Sequence, residues 1–159
     1  MTEPRTHSFT ISMEKTNDKM EFKTTFDKNH FPDLFFDEPP ISGGEDKYPN
    51  AVRVLTASIM NCLSASLTFC LSKSRIPMQY FKLKTTATAT TARNEQKRLR
   101  VKTIKVTYEP QFVENSEMSI EEFKKKLKRC SEICEDYCVV TQSVREGIEI
   151  TTEFKELGI

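Results

Sequence analysis

Pro49-Asn50-Ala-Val-Arg-Val-Leu-Thr-Ala-Ser-Ile-Met-Asn-Cys62-Leu63 opens a run that carries no charge between Arg53 and Lys73. Asn50 is a good N-cap, because its side chain can accept from the first free N–H groups of a helix. Pro77 stands where a helix from Ala51 to about Ser74 would have to stop. The run approaches the ~20 apolar residues that span a bilayer. Thr56, Ser58, Asn61, Ser64, Ser66 and Thr68 interrupt it, however, and no second span is visible. A buried core helix with small residues for close packing is the better reading, and no membrane is expected.

Working outward, residues 8 to 14 and 20 to 26 alternate loosely around Asn17-Asp18, which predicts a β-hairpin. Asp37-Glu-Pro-Pro-Ile-Ser-Gly-Gly-Glu-Asp46 reads as a loop, with prolines that remove donors and glycines that permit positive φ. Downstream, Thr85-Thr-Ala-Thr-Ala-Thr-Thr91 favours a strand over residues 79 to 93. Asn94-Glu95-Gln96 turns it into a second strand, residues 99 to 112, whose Ile104, Val106 and Tyr108 alternate with polar neighbours. Val101 is out of phase with Ile104, which predicts a bulge.

Ser119-Ile-Glu-Glu122 is a capping box, followed by Phe123, Leu127, Cys130 and Cys134 at helical spacing. This helix is expected to reach about Tyr137. A short helix restarts after Cys138 and breaks at Gly147, and a last strand covers Ile148 to Phe154. The order ββ, helix, ββ, helix, β gives an α+β fold. Residues 1 to 159 form a single domain, with 1 to 7 a flexible tail.

The formal net charge of +1 gives no general attraction to nucleic acid or anionic lipid. Lys124-Lys-Lys-Leu-Lys-Arg129 reads as a solvated helix face, since acids flank it and no aromatic platform accompanies it. The first residues are polar and lack an apolar h-region, so no secretory signal is expected. Five cysteines, an odd number and not spaced as a secreted scaffold, point to a reduced, cytoplasmic protein in which any disulfide is transient and functional. Cys130, Cys134 and Cys70 read as core packing. Their spacing lacks the paired C-x2-4-C or histidine partners of a structural zinc site, and His7 and His30 are remote, so no metal or other cofactor is expected.

Two cysteines carry the functional question. Cys62 lies on the uncharged helix, and Cys138 lies in Glu132-Ile-Cys-Glu-Asp-Tyr-Cys138-Val-Val-Thr141. A cysteine on an apolar helix is commonly a small core residue. One paired with a second cysteine at the mouth of another helix can be a peroxide-reducing thiol, provided its thiolate is accessible.

From the glycine-containing loop through the Cys62 helix to the Cys138 segment, roughly Asp37 to Ile150, the chain resembles the osmotically inducible protein C and organic hydroperoxide resistance family (OsmC/Ohr). The Cys138 segment is similar to the family's second motif, C-P-x-S or C-P-V-x. The resemblance implies two central helices packed against antiparallel sheets in an intertwined homodimer. It also implies peroxiredoxin-type thiol chemistry in oxidative-stress defence. Cys62 would attack an organic hydroperoxide and become a sulfenic acid, Cys138 would resolve it to a disulfide, and an external dithiol would reduce that bond. The chain departs from the peroxidase branches at Val52, where they carry an acidic residue ten positions before the first cysteine. That acid orients an arginine from the N-terminal region, and Arg5 is the only arginine before the loop. Arg53 lies nearly opposite Cys62 on a helix and is a poor substitute. Val139 replaces the proline after the second cysteine, and Thr141 keeps a hydroxyl near the family's serine. A second reading keeps the same cleft in a non-catalytic dimer that binds a small hydrophobic or thiol-bearing ligand.

Overall fold

The computed structural model describes residues 6–114 and 116–152. Arg5 and most of the expected flexible tail therefore lie outside the described residues. The chain forms two compact units that divide between Leu55 and Thr56. It is α+β throughout, with antiparallel sheets.

The first unit is built on a three-stranded sheet, β1 (Ser12–Lys15), β2 (Phe22–Thr25) and β3 (Leu34–Phe36), in that spatial order. The predicted hairpin is there, with Met13 opposite Thr24, although β1 begins four residues later than the alternation suggested. Its turn closes through Thr16 N–H to Glu21 O at 3.0 Å and Glu21 N–H to Asp18 O at 3.2 Å. The loop after β3 is organised by Asp37. Its carboxylate accepts from the backbone N–H of Glu38 at 2.8 Å, Glu45 at 3.0 Å and Lys47 at 3.0 Å. These bonds, led by that from Lys47, hold the Asp37 carboxyl below its usual range. Gly44 fits only because it has no side chain, since a Cβ there would stand 1.8 Å from Glu38 O.

Asn50 caps α1 (Ala51–Lys73) as expected, its side-chain oxygen accepting from Arg53 N–H at 3.2 Å. The helix stops in a Schellman motif at Arg75. Ile76 N–H reaches Leu71 O at 3.1 Å, and Arg75 N–H reaches Ser72 O at 3.0 Å. Arg75 has φ +59°, a left-handed conformation usually given to glycine.

The second unit holds the larger core. Ile59, Leu63, Leu67 and Leu71 form one buried stripe along α1 at four-residue spacing. α1 is the one helix among the described residues long and apolar enough to cross a membrane. Midway along it Ser64 finds partners in the protein: its Oγ donates to Met60 O at 2.8 Å and lies 3.0 Å from Thr85 Oγ1.

Beyond α1, β4 (Phe81–Arg93) and β5 (Leu99–Phe112) pair as one long hairpin. Its register shifts at Thr90/Thr91, which pair with Thr103 and Val101, so the bulge inferred from Val101 is present. α2 (Ile120–Ile133) starts at Ser119, whose hydroxyl accepts from Glu122 N–H at 3.3 Å. It ends four residues before Tyr137. α3 (Val139–Glu146) follows, ending at Gly147 with φ +79°. Residues 147 to 152 form no strand, contrary to expectation, and 153 and 154 lie outside the described residues. Ile148 and Ile150 are exposed, so the alternation there has no sheet edge to bury it.

Leu67 and Leu71 of α1, Phe81 of β4 and Phe123 and Cys130 of α2 share one apolar cluster. Phe123 stacks on Phe112, with centroids 4.5 Å apart and planes 7° from parallel. A smaller cluster joins Ile59, Leu63 and Cys138, with Cys62, Ile104, Val106, Tyr108 and Val140 packed on it.

Candidate active site

The two cysteines singled out in the sequence meet in the smaller cluster. Cys62 is delivered by the middle of α1 and is half-buried, whereas Cys138 is fully buried at the N-cap of α3. The chain leaves helical geometry at Cys138 (φ −78°, ψ 99°), so the first N–H groups of α3 are free to point at sulfur. Val140 and Val139 direct theirs at Cys62, and Thr141 and Val140 direct theirs at Cys138. Cys138 Sγ also lies 3.1 Å from the hydroxyl of buried Thr141.

These contacts set an unequal pair. Burial pushes the Cys62 thiol up; the Val140 N–H opposes this, and the hydrogen bond toward Cys138 keeps the proton in place. Burial acts on Cys138 in the same sense. The Thr141 hydroxyl, the Cys62 thiol and the N–H groups of Thr141 and Val140 together outweigh it, and the Cys138 thiol is pulled down. The more acidic thiol of the pair is thus Cys138, and not Cys62, to which the resemblance assigns the attack.

Cys62 opens onto a cavity of about 580 Å³ walled by Ala65, Phe69, Ile133, Tyr137 and Val139. Cys134 lines it too, and of the lining residues Lys73 alone carries a charge. Cys138 is not part of the lining. Such a volume and apolar character suit a small organic molecule. Cys134 is buried, its thiol is pushed up chiefly by that burial, and its sulfur donates to Ser131 O at 3.7 Å. Tyr108 packs against both clusters, and its phenol is pushed up to about 12, by burial first and then by Cys134 and Cys138.

One sequence expectation is corrected. Cys70 and Cys130 are not simply packed: they form a disulfide that ties α1 to α2. Four-residue spacing on α2 alone gave no signal for it, because the partner comes from another helix, 60 positions away.

The acidic residues shortly before Val52 are engaged in ion pairs. Glu45 pairs with Lys19 at 2.9 Å and Lys47 at 2.7 Å; Lys47, then Lys19, bring its carboxyl down to about 2. Asp46 pairs with Arg53 at 3.5 Å. Among the described residues no group of three or more His, Cys, Asp or Glu side chains is placed to hold a metal ion.

The fold has several solved counterparts. An OsmC-like protein of unknown function from Vibrio cholerae superposes with a TM-score of 0.67 at 10% identity, covering 87% of this chain and 94% of that one. An organic hydroperoxide resistance protein from Legionella pneumophila gives 0.58 at 12% identity, covering 89% and 92%. The organic hydroperoxide resistance protein OhrB of Bacillus subtilis gives 0.56 at 9% identity, covering 87% and 91%. At such identities the likeness is one of fold. No relative is found among curated protein sequences. The family model for OsmC-like proteins matches residues 44–153, which takes in both cysteine segments and the helices that carry them, and the chain belongs to that family.

Proposed function

We propose that this chain reduces organic hydroperoxides by thiol chemistry at Cys62 and Cys138, as a cytoplasmic homodimer serving peroxide defence. The observation that carries the reading is a hydrogen-bonded thiol pair with one sulfur on an apolar cavity and the other buried at a helix N-terminus. Family membership and the organic hydroperoxide resistance proteins among the solved counterparts support it.

Cys62 is the attacking sulfur because it is the one that lines the cavity. Its thiol passes its proton to the Cys138 thiolate, so the buried cysteine acts as base. The Cys62 thiolate attacks the distal peroxide oxygen and the O–O bond breaks. Cys62 becomes a sulfenic acid, and the departing alkoxide takes the proton from Cys138 to leave as the alcohol. The regenerated Cys138 thiolate then attacks the sulfenic sulfur, forming the disulfide and expelling hydroxide. One thiol, one thiolate and one hydroperoxide thus give a disulfide, an alcohol and hydroxide. An external dithiol closes the cycle and is itself oxidised to a disulfide.

The test is one equivalent of cumene hydroperoxide added to the protein with Cys62 and Cys138 reduced, followed by peptide mapping of disulfides. A stoichiometric Cys62–Cys138 bond, absent in Cys62→Ser, is expected. If Cys62 stays free while peroxide persists, the peroxidase reading fails and the cavity is that of a ligand-binding dimer. Light scattering on the purified chain, giving twice its 18.4 kDa mass, tests the dimer.

A further inference from the structure

The Cys70–Cys130 disulfide is used by nothing in the peroxide chemistry above, and it does not sit in an inert core. Cys130 is fully buried in α2, but Cys70 is half-buried and lines a separate cleft of about 390 Å³. Lys73 and Ser74 from the end of α1 and Lys126 and Arg129 from α2 complete most of that cleft. The three cations give it a positive sign that the near-neutral chain as a whole lacks. Lys126 pairs with Glu122 at 2.8 Å, and the Lys73 ammonium lies 5.3 Å from the centre of the Phe69 ring. Arg129 has no acidic partner among the described residues. Ser74 Oγ lies 3.6 Å from Cys130 Sγ. A bonded sulfur has no proton to give, so the hydroxyl is the donor.

We propose that Cys70–Cys130 is a second redox centre, reduced by a small carboxylate-bearing thiol that docks in the cleft of Lys73, Lys126 and Arg129. Arginine and lysine recognise carboxylates by charge-assisted hydrogen bonds, and they raise the local concentration of an anionic thiolate. The incoming thiolate attacks Cys70 Sγ, the accessible half of the bond. A mixed disulfide forms on Cys70, the Cys70–Cys130 bond breaks, and Cys130 leaves as a thiolate that accepts from the Ser74 hydroxyl already beside it. A second thiolate attacks the outer sulfur of the mixed disulfide and frees Cys70 as a thiolate, which takes a proton from solvent. Overall, two thiols are oxidised to one external disulfide, and Cys70 and Cys130 are reduced to thiols.

The same cysteine also borders the cavity onto which Cys62 opens, as do Lys73 and Ile133. Direct exchange between Cys62 and Cys70 is excluded in this conformation. Eight residues along one helix separate their Cα atoms by about 12 Å, beyond the roughly 7 Å limit for a disulfide. Reduction of the second centre therefore needs no thiol from Cys62 and is testable without any peroxide.

The experiment follows reduction of the Cys70–Cys130 bond in the intact chain by glutathione and by its neutral diethyl ester at equal thiolate concentration. Rapid alkylation and peptide mass spectrometry read each cysteine separately. Glutathione is expected to react faster by on the order of tenfold, the low end of steering by a charged cleft. Raised salt should close most of that gap, and so should Arg129→Gln or Lys73→Gln, both exposed positions whose replacement leaves the core untouched. A trapped mixed disulfide should sit on Cys70. Equal rates for acid and ester, insensitivity to salt and to both variants, or a mixed disulfide on Cys130 each overturn the proposal. Because no peroxide is added, failure of the Cys62 chemistry leaves these outcomes unchanged.

Discussion

Removing the Cys70–Cys130 bond should cost this protein a large part of its stability. The bond joins residues 60 positions apart, so it forbids the unfolded chain many open conformations. The chain-entropy relation gives about 14 cal/mol/K for a loop of that length, or about 4 kcal/mol at 25 °C. Native domains have only about 5–15 kcal/mol in total, so the effect is large. Urea unfolding followed by far-UV circular dichroism reports on all three helices and needs no tryptophan, which the chain lacks. With a slope of roughly 2 kcal/mol/M, the midpoint should fall by about 2 M when the bond is reduced. Cys62, Cys134 and Cys138 are free thiols, so a reductant acts on the one bond. The Cys70→Ala/Cys130→Ala variant should match the reduced wild type to within about 1 kcal/mol, the packing of two small side chains. A midpoint that moves by less than about 0.5 M, or a variant whose deficit persists against reduced wild type, would refute the assignment of stability to the cross-link.

Thr141→Val should slow peroxide consumption by about tenfold at neutral pH, since a hydrogen bond to a charged group is worth about 1.5 kcal/mol. The acid limb of the pH–rate profile tests the sign. The Cys138 thiol is held below its ordinary value by the Thr141 hydroxyl against burial, so the form proposed to react is lost as pH falls through its folded-state pKa, and losing the hydroxyl should move the limb to higher pH; an unmoved limb counts against Cys138 as base. Arg75→Gly should stabilise the chain by about 0.5–1 kcal/mol in the same urea assay, by relieving the left-handed C-cap of α1. Destabilisation there would mean that the arginine side chain contributes more than its backbone costs. Phe123→Ala should destabilise by about 3–5 kcal/mol, because the ring is buried between Phe112 and Phe81; a cost under 1 kcal/mol would contradict its central place in the core.

What the sequence made legible was mostly local. Asn50 and Ser119 announce helix starts because their side chains satisfy nearby N–H groups, and both do so in the structure. The phase break at Val101 announced the bulge because side-chain alternation is a property of a single strand. Partners from elsewhere in the chain were not legible. β3 is three residues long and exists because β2 offers an edge. The alternation from Ile148 onward finds no such edge among the described residues. Cys130 looks the same on a helical wheel whether it packs or bonds, and only the approach of Cys70 distinguishes the two. The pairing of Cys62 with Cys138 was reached through family resemblance, not through spacing.

The order of acidity in that pair follows from where α3 begins. α2 stops at Ile133, four residues short of the sequence estimate, and Cys138 takes extended backbone angles to start a new helix. Had the chain continued as one helix, the N–H groups of Val139, Val140 and Thr141 would have been consumed in i→i−4 bonds and could not face sulfur. The break frees them, and they face the two thiols. Backbone donors carry no net charge, so they stabilise a thiolate without adding a cation to an apolar cavity. Their direction also matters. Two of them face each sulfur, and what sets Cys138 apart is the Thr141 hydroxyl, which with the Cys62 thiol lowers it against burial, whereas burial leaves Cys62 raised. The base and resolving roles proposed for Cys138 thus rest on one helix break, which places the Thr141 hydroxyl and the free N–H groups beside its sulfur.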